Sequence, residues 1–180
     1  FHTGELLFNY TRNFNQNKVL TIDASSAIEY NRENTDISTQ NLTEQNTGIG
    51  NPFLQKTHFY EDANLTNFTA NYVHPVKETG LIETGYKSTL RFINDDYLRS
   101  NQQNSNFITD QSHSDIFKFN EQIHALYLQY TGWTGTQQEP VWKYQFGIRP
   151  EQVWNTGDNV QSPYNFSNNY FQLYPSASLM

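Results

Sequence analysis

Glu83, Lys87 and Arg91 recur at intervals of four residues. In an extended chain that interval keeps all three on one side, because successive side chains alternate between faces. Such a stripe would line a water-filled passage and attract a polar solute. It would equally supply one half of the cross-strand pairs that satisfy a wet sheet face, which asks less of the chain.

The remaining reactive residue types are scattered. His2, His58, His74, His113 and His124 fall in no metal-ligand spacing such as H-E-x-x-H and are read as surface or interface residues. Asp95, Asp96, Asp110 and Asp115 offer oxygen ligands of the kind that hold Ca²⁺, but they lack the spacing of a known loop and are read as a solvated acidic stretch. No G-x-S-x-G elbow, P-loop or dinucleotide fingerprint occurs. There is no cysteine, which excludes disulfides, thiolate metal sites and a cysteine nucleophile. We therefore expect no catalysis, no metal and no cofactor. Five Asn-x-Ser/Thr triplets, at Asn9, Asn41, Asn64, Asn67 and Asn165, are what a chain rich in Asn and Thr contains by chance.

Composition narrows the partners. The 180 residues carry a formal charge of -7 and contain no Lys/Arg cluster, so nucleic acid is dropped as a partner. Hydrophobic residues make up 36% and aromatic residues 16%, so much of the apolar content is in rings, unlike a disordered acidic chain. The mean hydropathy of -0.77 comes mostly from Asn, Gln, Thr and Ser. No apolar run approaches the length of a membrane-spanning helix, a test that alternating strands escape. Phe1 follows no leader-like segment and "PSASLM" stops inside a strand pattern, so both ends are read as cut points.

Seven segments have the β-branched and aromatic content and the period near two that predict strands: "ELLFNYTR", "KVLTIDASSAIEYN", "NLTNFTANYVH", "GLIETGYKSTLRF", "FKFNEQIHALYLQY", "VWKYQFGIRPEQVW" and "NYFQLYPSASL". A helix competes only at "NEQIHALYLQY", where Ile123, Leu126, Tyr127 and Tyr130 keep a helical rhythm. The segments exceed the usual strand of about 5 or 6 residues and approach the roughly 9 to 11 that cross a bilayer at a tilt. Their connections alternate. "NFNQN", "PVKETG" and "TGWTGTQQEP" are fairly short. "RENTDISTQNLTEQNTGIGNPFLQKTHFYEDA", "INDDYLRSNQQNSNFITDQSHSD" and "NTGDNVQSPYNFSN" are long and polar, and are predicted as loops. An up-and-down barrel in an outer membrane shows this alternation, with the first and last strands here both running inward.

The faces separate along each strand. Trp142, Tyr144, Phe146 and Ile148 oppose Lys143, Gln145, Gly147 and Arg149. Leu20, Ile22, Ala24, Ser26, Ile28 and Tyr30 oppose Thr21, Asp23, Ser25, Ala27 and Glu29, and Phe171, Leu173, Pro175, Ala177 and Leu179 oppose Gln172, Tyr174, Ser176 and Ser178. Trp142 and Trp154 share a parity and lie about 30 Å apart along the membrane normal for a strand tilted by about 40°, as two aromatic girdles would. Pro150 interrupts the second half of that strand, since proline fits best at an edge, bulge or strand end. In the predicted long loops, Phe59, Tyr60, Tyr97 and Tyr164 are candidates to touch an external ligand, with Phe53, Phe107 and Phe166 beside them; anchoring the loops to the rim is the equal alternative.

"LIETGYKSTLR", "FNEQIHALYLQY", "WKYQFGIRPEQV" and "NYFQLYPSASL", in this order and spacing, resemble the outer-membrane β-barrel region of TonB-dependent-receptor-like proteins of Bacteroidetes. The similarity covers the chain from "NLTNFTANYVHP" onward and is looser over the first sixty residues. It implies a large barrel in the outer membrane of a Gram-negative bacterium, usually preceded by a carboxypeptidase-regulatory-like domain and a plug, that binds or takes up a substrate with energy from TonB. Neither preceding part is in this chain, so residues 1–180 are expected to be a fragment of one barrel domain, since seven strands cannot close the usual even-numbered barrel.

The expected fold class is therefore all-β, an antiparallel up-and-down meander of about seven long strands within a transmembrane barrel. Ile82, Tyr86, Leu90, Trp142, Tyr144, Phe146 and Ile148 are expected to face lipid; Glu83, Lys87, Arg91, Lys143, Gln145 and Arg149 are expected to face a wet lumen. Expected partners are outer-membrane lipid, TonB through the missing plug region, an external substrate of unknown identity, and other copies of the fragment through its exposed edges. The alternative is a soluble all-β ligand-binding module, a lipocalin-like barrel or sandwich, with the apolar rows turned inward.

Overall fold

The computed structural model describes residues 1–135, 139–160 and 163–180. Eight antiparallel strands form one sheet: β1 (His2–Phe14), β2 (Lys18–Leu42), β3 (Gly48–Val76), β4 (Gly80–Gln103), β5 (Asn106–Thr109), β6 (Asp115–Gly135), β7 (Pro140–Asn159) and β8 (Phe166–Leu179). The order across the sheet is β1-β2-β3-β4-β6-β7-β8, with the short β5 folded back on β4. It is a meander, and it is not closed: β1 and β8 are its two edges.

The strands outrun the sequence expectation at one end. The segment predicted as the first long loop is a paired ribbon, with β2 reaching Leu42 and β3 starting at Gly48. The second long loop continues β4 to Gln103, turns back as β5, and closes through a 3-10 turn over Gln111–His113. The third begins as β7, which runs to Asn159; residues 161 and 162 of it lie outside the described residues. These ribbons are mostly polar and put aromatics such as Phe59 and Tyr60 on both sides, so they carry no alternation to betray a strand. Their backbone ladder is what orders them. At the other end the turns are tighter than predicted, with residues 15–17 and 77–79 making the first two connections. Residues 136–138 of "TGWTGTQQEP" lie outside the described residues.

Pro150 does not end β7. The ladder from β6 keeps one register on both sides of it, from Ala125↔Glu151 to Leu128↔Ile148, but has no rungs between. On the opposite side Pro150 still pairs with Leu173 of β8. The missing N–H thus removes rungs on one side, and the strand continues because its other side remains paired. The helical rhythm at "NEQIHALYLQY" is likewise overruled: it lies inside β6, paired with β4 and β7.

The sheet is a single layer. Among the described residues the buried apolar side chains are Ala125, Trp133 and Val153, while Leu6 is 77% and Phe146 56% exposed. An inward-turned apolar core, which the soluble alternative requires, is not what these residues build.

Large rings are seated on glycines of the neighbouring strand. A Cβ on Gly85 would lie 2.6 Å from Tyr127 Cε1 and 2.5 Å from the Ala70 carbonyl oxygen, so only glycine lets the Tyr127 ring lie across β4. The Tyr127 hydroxyl then reaches β3 and donates to Asn71 Oδ1 at 2.5 Å. Tyr144 covers Gly132 in the same way on the other face. Gly85→Val is expected to displace Tyr127 and destabilise the folded protein by about 1–3 kcal/mol, against about 1 kcal/mol for Tyr127→Phe. Urea unfolding in detergent, followed by tryptophan fluorescence, distinguishes them; a Gly85→Val protein as stable as the parent would refute this seating.

Candidate functional site

Residues paired across an antiparallel ladder share a face. Following the pairs from β1 to β8 puts the even-numbered residues of β1 to β4, β6 and β7, and the odd-numbered residues of β8, on one face. Ile82, Tyr86, Leu90, Trp142, Tyr144, Phe146 and Ile148 all fall on it. Glu83, Lys87, Arg91, Lys143, Gln145 and Arg149 all fall on the other.

The first face is an apolar band with aromatic limits. Tyr30 on β2 lies in line with Asp62, Asn94, Lys118 and Asp158 on the successive strands β3, β4, β6 and β7. The upper aromatics step below that line: Phe92 by two residues after two ladders, Trp154 by four after four. One residue per ladder is about 3.3 Å of rise for about 4.8 Å of strand spacing, an inclination of about 35°. Below the limit, the Tyr86 hydroxyl and His124 Nδ1 lie 2.6 Å apart with their rings stacked, and His124 meets Trp154 edge-on at 5.6 Å. The hydrogen bond satisfies the imidazole, whose cross-strand neighbours on this face are Ser88 and Gln152.

The second face is a polar wall. Gln129 Nε2 donates to Glu83 Oε2 at 2.7 Å, Arg91 pairs with Glu121 at 3.4 Å, and Arg149 pairs with Glu151 at 2.5 Å. Thr89 Oγ1 donates to Asn67 Oδ1 at 3.0 Å, and Asn9 bonds Asp23. The predicted stripe Glu83–Lys87–Arg91 is thus mostly tied into cross-strand pairs, while Lys87 and Arg149, from strands on either side of β6, line one groove of about 380 Å³. Its floor is small: Ala125 is 2% exposed and Gly147 stands two strands from β4. Sequence reasoning missed Glu121, Tyr127 and Gln129, although all share the odd parity of β6; the competing helical rhythm of that segment obscured the alternation.

Above the apolar band the candidate aromatics divide. Phe59, Tyr60 and Tyr97 lie in strands, not loops, which corrects their predicted setting. Phe59 faces Tyr97 across the β3–β4 ladder on the polar side. Tyr60 points to the opposite side, where Arg32 sits 5.2 Å from its ring and His58 stacks on it. Tyr164 stands apart, 81% exposed, between β7 and β8. Beneath the Phe59–Tyr97 pair, Glu61 faces Asp95. Burial raises both carboxyls above their ordinary range, and the charges of Asp95 and Glu29 raise Glu61 further.

Asp110 organises the closing turn. Its carboxylate accepts from Ser112 Oγ at 2.6 Å and Asn101 Nδ2 at 2.9 Å, with His113 Nδ1 at 3.0 Å; its carbonyl accepts from Ser114 Oγ at 2.8 Å. Those bonds from Ser112 and His113 lower its carboxyl to about 2. Among the described residues, no three His, Cys, Asp or Glu side chains are grouped to hold a metal ion.

A family model described as "Outer membrane protein beta-barrel family" matches residues 12–180. No curated protein matches the chain.

A carboxyl lowered by folding contributes stability above its unfolded value and loses it as pH falls through its folded value. The turn at residues 110–114 is therefore expected to hold above pH 4 and loosen as pH falls from about 4 towards about 2. Amide exchange of Asp110 and His113, measured against Asp110→Asn, follows this; an identical pH profile in the variant would show that the carboxylate is not the determinant.

Proposed function

We propose that this chain, which belongs to the outer membrane protein beta-barrel family, forms seven adjacent spanning strands in the wall of a larger receptor or transporter barrel. The chain is an outer-membrane β-barrel protein. In the proposed arrangement Ile82, Tyr86, Leu90, Trp142, Tyr144, Phe146 and Ile148 face lipid. Glu83, Lys87, Arg91, Lys143, Gln145 and Arg149 face the aqueous interior.

The observation that carries this reading is the oblique aromatic limit from Tyr30 through Phe92 to Trp154. A membrane surface is a plane, so tilted strands meet it at successively shifted residues, and a shift of one residue per ladder matches the roughly 35–45° tilt of membrane barrels. At that tilt the twelve residues from Trp142 to Trp154 cover about 30 Å, enough for an apolar band of about 25 Å with a ring at each surface.

Strand direction supports the larger barrel. The seven long strands alternate, so the edge strands β1 and β8 run the same way. They cannot pair with each other antiparallel, and each edge calls for a further strand to satisfy its backbone groups. Substrate binding or uptake driven through TonB, with a plug region inside the wall, is the role to which the resemblance of β4 and β6 to β8 points. The extended ribbons above the band, with Phe59 and Tyr97 on the inner side, are the surface such a substrate would meet first.

A charge on the lipid side costs about 2–4 kcal/mol at mid-membrane, while an exchange on the aqueous side costs little. Ile148→Arg in the full-length protein is expected to lose most folded material from outer-membrane fractions, whereas Arg149→Ile assembles normally. Heat-modifiable gel mobility reads the folded barrel. Equal loss from both variants, or loss from Arg149→Ile alone, would reverse or abolish the assignment of faces.

A further inference from the structure

We infer that the groove between Lys87 and Arg149 is a binding station for a small solute bearing an oxyanion, a carboxylate or a phosphate. The inference rests on the polar wall being the aqueous side of the barrel. The groove holds about 380 Å³, within the range of small-molecule sites. It lies at mid-height on the wall, well away from the edges of the apolar band, because Lys87 is five residues from Phe92 and five from Ile82.

The charges around it are unequally compensated. In a nearby row Glu83 is held by Gln129, and towards the two ends of the row of Lys87 itself Glu151 is paired with Arg149 and Asp23 is bonded by Asn9. Arg91, one step above, is paired with Glu121. Lys87 faces Ala125 on one side and Thr69 on the other, neither of which has charge. It is exposed and has no ion-pair partner among the described residues. Lys87 and Arg149 are the charged side chains that line the groove, and both are cations.

The surrounding shape gives that charge a place to act. Ala125 and Gly147 leave the recess, and a side chain at Gly147 would begin to fill it, since a Cβ there already lies 2.7 Å from Ser176 Oγ. The Tyr127 ring, seated on Gly85, forms one wall, and Tyr174, paired with Arg149, forms the other. An oxyanion accepting from the Lys87 ammonium would also lie within the lining that includes Gln129 and Ser176, whose polar groups serve the neutral part of the solute.

The test is calorimetric titration of the full-length protein in detergent with citrate and with glucose 6-phosphate, using glucose as the neutral control. Binding of either anion but not of glucose is expected, and which one binds identifies the oxyanion. Lys87→Gln should weaken it by about tenfold or more, Lys87→Arg should retain it, and Lys143→Gln, nearer the turns, should leave it unchanged. Lys87 is exposed, so loss of fold is not expected, and gel mobility of each variant verifies this. Absence of anion binding in a barrel whose faces behave as Ile148→Arg and Arg149→Ile require overturns this inference alone. Failure of those face variants overturns the wall assignment and the station with it. Equal binding by Lys87→Gln and the parent shows that the anion sits elsewhere.

Discussion

A one-layer sheet has to satisfy its backbone laterally and its side chains on two unrelated surfaces at once. Here the lateral requirement is met by long uninterrupted ladders from β1 to β8, and it leaves both faces without protein above them. A soluble sheet stabilises itself by burying one face against a second layer. This one buries only Ala125, Trp133 and Val153 as apolar residues among those described, so the apolar face needs a solvent of its own kind. In the arrangement proposed above lipid supplies it, and the register matters because a slip of one residue would move a strand's whole apolar row to the opposite face.

The same constraint shapes the details. With no core to press them into place, large rings are located by lateral contacts: Tyr127 across Gly85 to Asn71, Tyr144 over Gly132, Tyr86 against His124. Each spans a ladder and so helps hold strand to strand. Some charges are managed likewise, in pairs such as Arg91–Glu121 that join neighbouring strands on the polar face. Lys87 has no ion pair among the described residues, and small residues beside it leave a recess.

Where an apolar row alternates with a polar one, the strands were legible. β7 from Trp142 to Ile148 alternates cleanly and β4 from Ile82 to Phe92 does so apart from Thr84 and Ser88, and the residues assigned to each side from parity alone lie together in space. Legibility ended where both rows are mostly polar. The upper halves of β2, β3 and β4 hold Asn, Thr, Asp and Gln on either face, which composition cannot tell from a loop, and the aromatics Phe59, Tyr60 and Tyr97 were misplaced for that reason. Pro150 misled differently: its effect depends on which neighbour loses a rung, and that is a property of the pairing.

Residue parity and the division between an apolar and a polar row in the seven long strands were determined by the sequence by itself, since each is a periodicity of two along one chain and needs no partner. The tertiary structure decided everything that depends on register between strands. It aligned Tyr30, Phe92 and Trp154 into one oblique limit, brought Lys87 and Arg149 to opposite sides of one groove, and carried the backbone ladder through stretches that have no pattern of their own. The physical reason is that hydrogen bonds across a sheet join residues tens of positions apart, so their alignment is a relation between strands that no single strand contains.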